Sequence, residues 1–294
     1  MSADHLFHDS QPGEVSEFDR YFFDLHGFVI VRGALSEDEL ADANERIDEI
    51  IPIEPGTWHG YVQAHNYTGA EGTNLQQIYE AGGTFEAMID HPSWIEKILE
   101  FVGGEGTFDQ HHGELFIDEC FASIRGPGER IGMHSGNYMA SRRTKFDYRD
   151  GQFMCGQVNV LVALNDIGPG DGPTMVIPGS HKSNFAHPGQ ADHDFDASHS
   201  MDGAVGSIEA HLDAGDALIF TDSISHGSAE RKNEGERRLC VYRYGPSWGF
   251  FRHGFRPSRQ LLERLTERQR KIVWPHEPMK REPNRVEGIP DPNP

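Results

Sequence analysis

Residues 157–185 read QVNVLVALNDIGPGDGPTMVIPGSHKSNF. Two β-type runs, QVNVLVAL and TMVIP, flank a segment in which Asn, Asp, Gly and Pro supply the turn chemistry. The same rhythm continues on both sides, in ELFIDECFASIRG, GSIEAHL, ALIFTD and RRLCVYRYG. Short strands punctuated by turns predict an antiparallel sandwich or barrel. The expected fold is mainly β with flanking helices: a double-stranded β-helix, or jelly roll, over residues 113–246. Residues 1–112 read as a helical and irregular part. EVSEFDRYFFDLHG has helical spacing with Gly27 as its stop, and Ser36 with Glu39 forms a capping box opening SEDELADANERIDEII. Residues 52–81, rich in Gly, Pro, His and Asn, are expected to be irregular and lid-like. TFEAMIDHPSWIEKILEFVG predicts one or two short helices. In residues 247–294, SRQLLERLTERQRKIV predicts one C-terminal helix, followed by a tail of proline and charge. The whole chain, 1–294, reads as a single domain with insertions.

Composition narrows the function. Of 294 residues, 36% are hydrophobic, enough for a sizeable core, and the formal net charge is −21. That charge argues against nucleic acid, which needs a basic surface. An anionic ligand would need a local basic cluster, because the overall field repels it. Cys120, Cys155 and Cys240 are far apart and form no CxxC pair, which suits a reducing compartment. The N-terminal MSADHLFHDSQPGE has no hydrophobic signal region, and no apolar run is long enough to span a membrane. The expectation is a soluble, cytoplasmic chain without a membrane partner.

Among 17 histidines, two stand out by context. His134 lies in IGMHSGNY, beside a glycine turn. His226 lies in TDSISHGSAERK, just after the apolar run ALIFT. In a jelly roll, their separation of 92 positions can return the chain to the same end of the barrel. Imidazole ligands with open positions suit a redox-active iron. Eleven residues beyond His226, Arg237 opens RRLCVYRYG, where a guanidinium could hold a carboxylate bidentately.

The His134 segment, the GDG-to-PGSHK run, AGDALIFTDSISHGS at 214–228 and Arg237 together resemble the phytanoyl-CoA dioxygenase (PhyH) family of iron(II)/2-oxoglutarate oxygenases. The resemblance implies Fe(II) and 2-oxoglutarate as cofactors and O2 as co-substrate. It implies His134 and His226 as iron ligands and Arg237 as partner of the 2-oxoglutarate C5 carboxylate. The reaction implied couples decarboxylation of 2-oxoglutarate to removal of a hydrogen atom from an unactivated carbon. Gln157 and Asn159, on one face of QVNVLVAL, and Thr174 are candidates for contacting 2-oxoglutarate, or else buried polar groups satisfied by backbone. Ser228 would support the distal ligand. His181 in PGSHK is expected to fix a turn.

The chain departs from the family's His-x-Asp/Glu pattern at Gly136. Only residues i and i+2 of a strand share a face, so Ser135 and Asn137 have the wrong parity. Asp147 and Asp150 lie beyond a polar loop. Gly136 therefore resembles the iron/2-oxoglutarate halogenases, in which glycine or alanine replaces the acid, and would be a chloride seat, its missing Cβ leaving room beside the metal. Two other readings stay open: a hydroxylating oxygenase with two histidines and a water or remote acid, and a non-catalytic cupin-like binding module.

Arg142, Arg143 and Lys145 in SRRTKF form a cationic cluster directly after the ligand segment. They read as a solvated loop or as a phosphate clamp for a small anionic substrate. The clamp would resemble nucleotide halogenases of antibiotic biosynthesis, with a purine nucleoside monophosphate as first guess. His111, in QHHGE, is a further candidate substrate contact.

Overall fold

The computed structural model describes residues 7–65, 70–103, 113–190, 199–249 and 256–274. After the short β1 (Asp9–Ser10), α1 (Glu17–His26) is capped by Ser16, whose Oγ accepts the Asp19 N–H at 3.0 Å. It stops at Gly27, which takes φ 89°, as the sequence predicts. β2 (Phe28–Val31) follows. α2 (Glu37–Ile50) opens on the Ser36–Glu39 capping box. The segment expected to be irregular instead forms β3 (Trp58–His59), β4 (Val62–His65) and β5 (Thr73–Gln76). These strands join the main sheet because β5 pairs antiparallel with the long strand that starts the barrel. α3 (Thr84–Ala87) and α4 (Ile95–Val102) are the two short helices anticipated.

The remaining strands are β6 (Leu115–Arg125), the two strands β7 (Tyr148–Arg149) and β8 (Gln152–Phe153) that pair only with each other, β9 (Val158–Ala163), β10 (Thr174–Val176), β11 (Ile208–Ala210), β12 (Ala217–Thr221), β13 (His226–Ser228) and β14 (Arg237–Pro246). Nine strands form one sheet in the order β1-β2-β12-β9-β14-β6-β5-β4-β3, and β11-β10-β13 form a second. This is the predicted jelly roll with flanking helices. The single C-terminal helix is corrected to two, α5 (Arg259–Arg264) and α6 (Glu267–Val273). Thr266 breaks it: its Oγ1 accepts the Gln269 N–H at 3.2 Å, and the Gln269 side chain accepts the Thr266 N–H at 2.9 Å. No helix among the described residues is long and apolar enough to cross a membrane.

Alternation sorts each central strand onto two faces. Val158, Val160 and Val162 of β9, with Ile219, Cys240, Tyr242 and Tyr244, pack against Phe23, Ile47, Trp94, Ile98 and Phe101 of the helical layer. The opposite face looks into the barrel, and its register runs in rows. Arg237 of β14 stands beside Arg125 of β6, Leu239 beside Ser123, Val241 beside Phe121, and Arg243 beside Glu119. On the other side of β14, Ala163, Leu161 and Asn159 of β9 continue the last three rows. The inner wall thus passes from a cationic row through two mostly apolar rows to a polar one. Across from it, Thr174 pairs with Ser228, and Val176 with His226.

Candidate metal centre

His134 and His226 meet through an antiparallel bridge, with N–H···O contacts of 2.8 and 3.1 Å in the two directions. Their rings lie 4.1 Å apart between centroids. His134 Nδ1 is 2.9 Å from the Gly132 carbonyl, and His226 Nδ1 is 2.8 Å from that of Ile224. A carbonyl only accepts, so each Nδ1 carries a proton and Nε2 is the nitrogen each ring turns to other partners. Burial, reinforced by His226, holds His134 well below the ordinary imidazole pKa, which keeps it neutral. Two imidazoles fixed through Nδ1 by backbone carbonyls are a donor set suited to iron(II).

Both histidines line one cavity with Asn159, Thr174, Ser228, Arg237 and Arg125. Arg237 is buried; Nη1 donates to the Gly172 carbonyl, and Nε has no partner among the described residues. Burial, then the neighbouring Arg125 and Arg231, pushes its pKa well down. Arg125 is also buried, and burial lowers its pKa to about 10. Its Nη1 donates to Ser228 Oγ at 2.8 Å, which also accepts the Ile131 N–H at 2.9 Å. Neither guanidinium makes an ion pair with a carboxylate among the described residues. Two buried cations side by side fit a dicarboxylate's tail. Ser228 thus holds Arg125, two residues beyond the distal histidine.

Gly136 is corrected in its physical role. The chain does not continue as a strand after His134: Ser135 takes φ 61°, and Gly136 takes φ 131° and ψ 145°. Strand parity therefore does not apply at Ser135 and Gly136. A Cβ at 136 would lie 2.7 Å from Tyr138 Cε1 and 3.1 Å from Ser225 Oγ. The expected room beside the metal is filled by the Tyr138 ring, and what glycine supplies is a backbone conformation other residues enter only under strain. Among the described residues, no group of three His, Cys, Asp or Glu is placed to hold a metal.

The three basic residues do not converge. Arg143 Nη1 donates to the buried carboxylate of Asp222 at 2.7 Å. Arg142 and Lys145 are exposed and line outer grooves that neither histidine lines. A shared phosphate clamp at the metal is thus corrected: the loop turns one cation inward to an acid and the other two outward. Asn159 lines the cavity and Gln157 does not; their NH2 groups face Asp222 at 3.2 Å and Asp118 at 3.1 Å, each giving an N–H to a carboxylate. His181 behaves as expected: its buried ring lies 3.0 Å from the Asp24 carbonyl and pins a turn. His111 falls outside the described residues. Sequence reasoning missed Arg125, Asp222 and Arg243. Only for Arg125 was there a signal, a cation ending an apolar strand, and its partner row was invisible without the register.

The phytanoyl-CoA dioxygenase (PhyH) profile matches residues 23–239. Dioxygenase FUM3 of Gibberella moniliformis (strain M3125 / FGSC 7600) is 35% identical over 273 residues, covering 86% of this chain and 82% of that protein. Dioxygenase cdmD of Talaromyces verruculosus is 25% identical over 265 residues, covering 84% and 80%. The fold is similar to HygX of Streptomyces hygroscopicus, solved with nickel, 2-oxoglutarate and hygromycin B, at TM-score 0.64 and 21% identity, over 80% of this chain and 89% of that one. The profile match and the 35% identity to FUM3 carry the conclusion: the chain belongs to the phytanoyl-CoA dioxygenase family of iron(II)/2-oxoglutarate oxygenases.

Proposed function

We propose that the chain is an iron(II)/2-oxoglutarate-dependent enzyme that transfers halide to an unactivated carbon of a small polar molecule. Position 136 carries this reading: glycine stands where the family's motif places an acid, in a conformation that resists one. Asp222, which contacts Ser135 Oγ at 3.4 Å, is held back by Arg143. Two imidazoles then leave one more ligand position to solution than a His-x-Asp site does. Chloride has the single charge of the absent carboxylate.

When bound, iron(II) and 2-oxoglutarate supply the O2-driven oxidation that removes hydrogen from carbon. The chain's own part is positional. His134 and His226 present Nε2 lone pairs with the rings locked from behind. Arg237 and Arg125 receive the C5 carboxylate and balance its charge in a buried setting. From Ser228, at the arginine row, to His226 is two strand residues, about 7 Å, the length of a five-carbon diacid. Phe121, Leu161, Leu239 and Val241 line the space between and exclude water.

Oxygen transfer is the second reading. The relatives FUM3 and cdmD are dioxygenases, and the Tyr138 ring occupies the space beside Gly136. Anaerobic crystals with Fe(II), 2-oxoglutarate and bromide separate the two. A bromine anomalous peak at bonding distance from iron is expected. A protein carboxylate or a water in that position at saturating bromide would remove the halide reading and leave oxygenation. A missing visible charge-transfer band with Fe(II) and 2-oxoglutarate, unchanged by His226→Ala, would leave only a binding module.

A further inference from the structure

The polar row of the inner wall lies at the opposite end from the Arg237–Arg125 row. Asn159 stands in register between Phe220 of β12 and Arg243 of β14, and lines the cavity with both histidines. Gln157 lies one step along on the same face, beyond the residues that line the cavity. Both side chains are almost completely buried. Their amide orientations follow from chemistry. Carboxylates accept and do not donate, so Asn159 Nδ2 faces Asp222 Oδ1 and Gln157 Nε2 faces Asp118 Oδ2. Asp222 cannot release its amide by turning away, because Arg143 holds its other oxygen at 2.7 Å. Each amide thus gives an N–H to a carboxylate, while its carbonyl oxygen has no hydrogen-bond partner among the described residues. Buried acceptors left unmet are a cost that native proteins rarely carry without reason.

We infer that Asn159 Oδ1, on the cavity wall, accepts from a donor group of the substrate, a hydroxyl or an ammonium, beside the metal, with Gln157 Oε1 continuing the same polar row. The 2-oxoglutarate dianion has no donor and cannot satisfy them. A phosphate or carboxylate would meet two oxygens backed by two more carboxylates. This inference deepens the proposed function and rests on the same cavity: the substrate is rich in hydrogen-bond donors rather than anionic. The donor, once paired, would fix which carbon faces His134 and His226.

The test uses the full chain loaded with Mn(II) and 2-oxoglutarate, titrated calorimetrically with 1,3-diaminopropane, 1,3-propanediol and the acceptor-only 1,2-dimethoxyethane. At least one donor probe should bind about tenfold tighter than the diether, roughly the worth of one good hydrogen bond. Preference for the diamine would identify ammonium, and preference for the diol would identify hydroxyl. Asn159→Leu and Gln157→Met should each bring the preference close to unity. The 2-oxoglutarate affinity measured in the same titrations shows which variant is folded. Equal binding of all three probes, or an undiminished preference in both folded variants, overturns the inference. Failure of 2-oxoglutarate to bind wild type would instead overturn the cofactor reading beneath it.

Discussion

Replacing Arg237 with methionine should separate ligand binding from folding. In the protein without 2-oxoglutarate, the Arg237 and Arg125 guanidiniums are buried in one row, and Arg237 Nε lacks a partner among the described residues. An unpaired buried ion costs several kcal/mol, and an apolar residue of similar length removes that cost. Against this, the Gly172 carbonyl loses its donor, a penalty of about 1–3 kcal/mol. The two nearly cancel, so Arg237→Met should leave the unliganded protein as stable as wild type, or up to about 2 kcal/mol more stable. The ligand response should change completely. At a hundredfold excess over Kd, a ligand specific for the native state adds about 2.7 kcal/mol. For a domain of this size that raises Tm by about 5–10 °C. Breaking a buried ion pair costs about 3–5 kcal/mol, or about two to three and a half decades in Kd, so methionine should abolish the shift at the same concentration. Differential scanning fluorimetry with Mn(II) and a 2-oxoglutarate series reads both quantities. If the variant kept half of the wild-type shift, Arg237 would not be the carboxylate partner. If the unliganded variant lost more than about 3 kcal/mol, the argument about unpaired buried charge would be wrong.

Ser228→Ala removes the acceptor shared by Arg125 Nη1 and the Ile131 N–H. It should cost about 1–3 kcal/mol in urea unfolding and weaken 2-oxoglutarate binding, whereas Ser228→Thr should restore both in part. Gly136→Asp should lower stability by about 1–3 kcal/mol through backbone strain, with partial recovery in the double variant with Tyr138→Ala, where the obstructing ring is gone. Full stability of the single variant would refute the conformational account. Burial lowers the His181 pKa to about 4 from an ordinary 6.5. As pH falls through 6.5 the unfolded chain takes up a proton that the native ring refuses, so stability drops down to about pH 4, by about 3 kcal/mol in all. Urea titrations of wild type and His181→Gln between pH 7 and 4 should show the shallower dependence in the variant.

The sequence alone determined the jelly roll, the Gly27 helix stop and the Ser36 cap, and its motifs singled out His134, His226 and Arg237, which line one cavity. Each rests on information local to a strand, a cap or a motif: turn residues, period-two alternation and ligand spacing. The tertiary structure decided what depends on register and on positive φ. It set Arg125 beside Arg237 because β6 and β14 pair so that position 125 meets 237. It turned Arg143 inward to Asp222, 79 residues away, leaving Arg142 and Lys145 to solvent. It showed that Gly136 is required by backbone geometry and that its Cβ direction is filled by Tyr138. It also oriented two amides by placing carboxylates behind them. A linear pattern reports which face of a strand a side chain occupies. It cannot report which distant strand lies alongside, and there the charges of this site find or lack their partners.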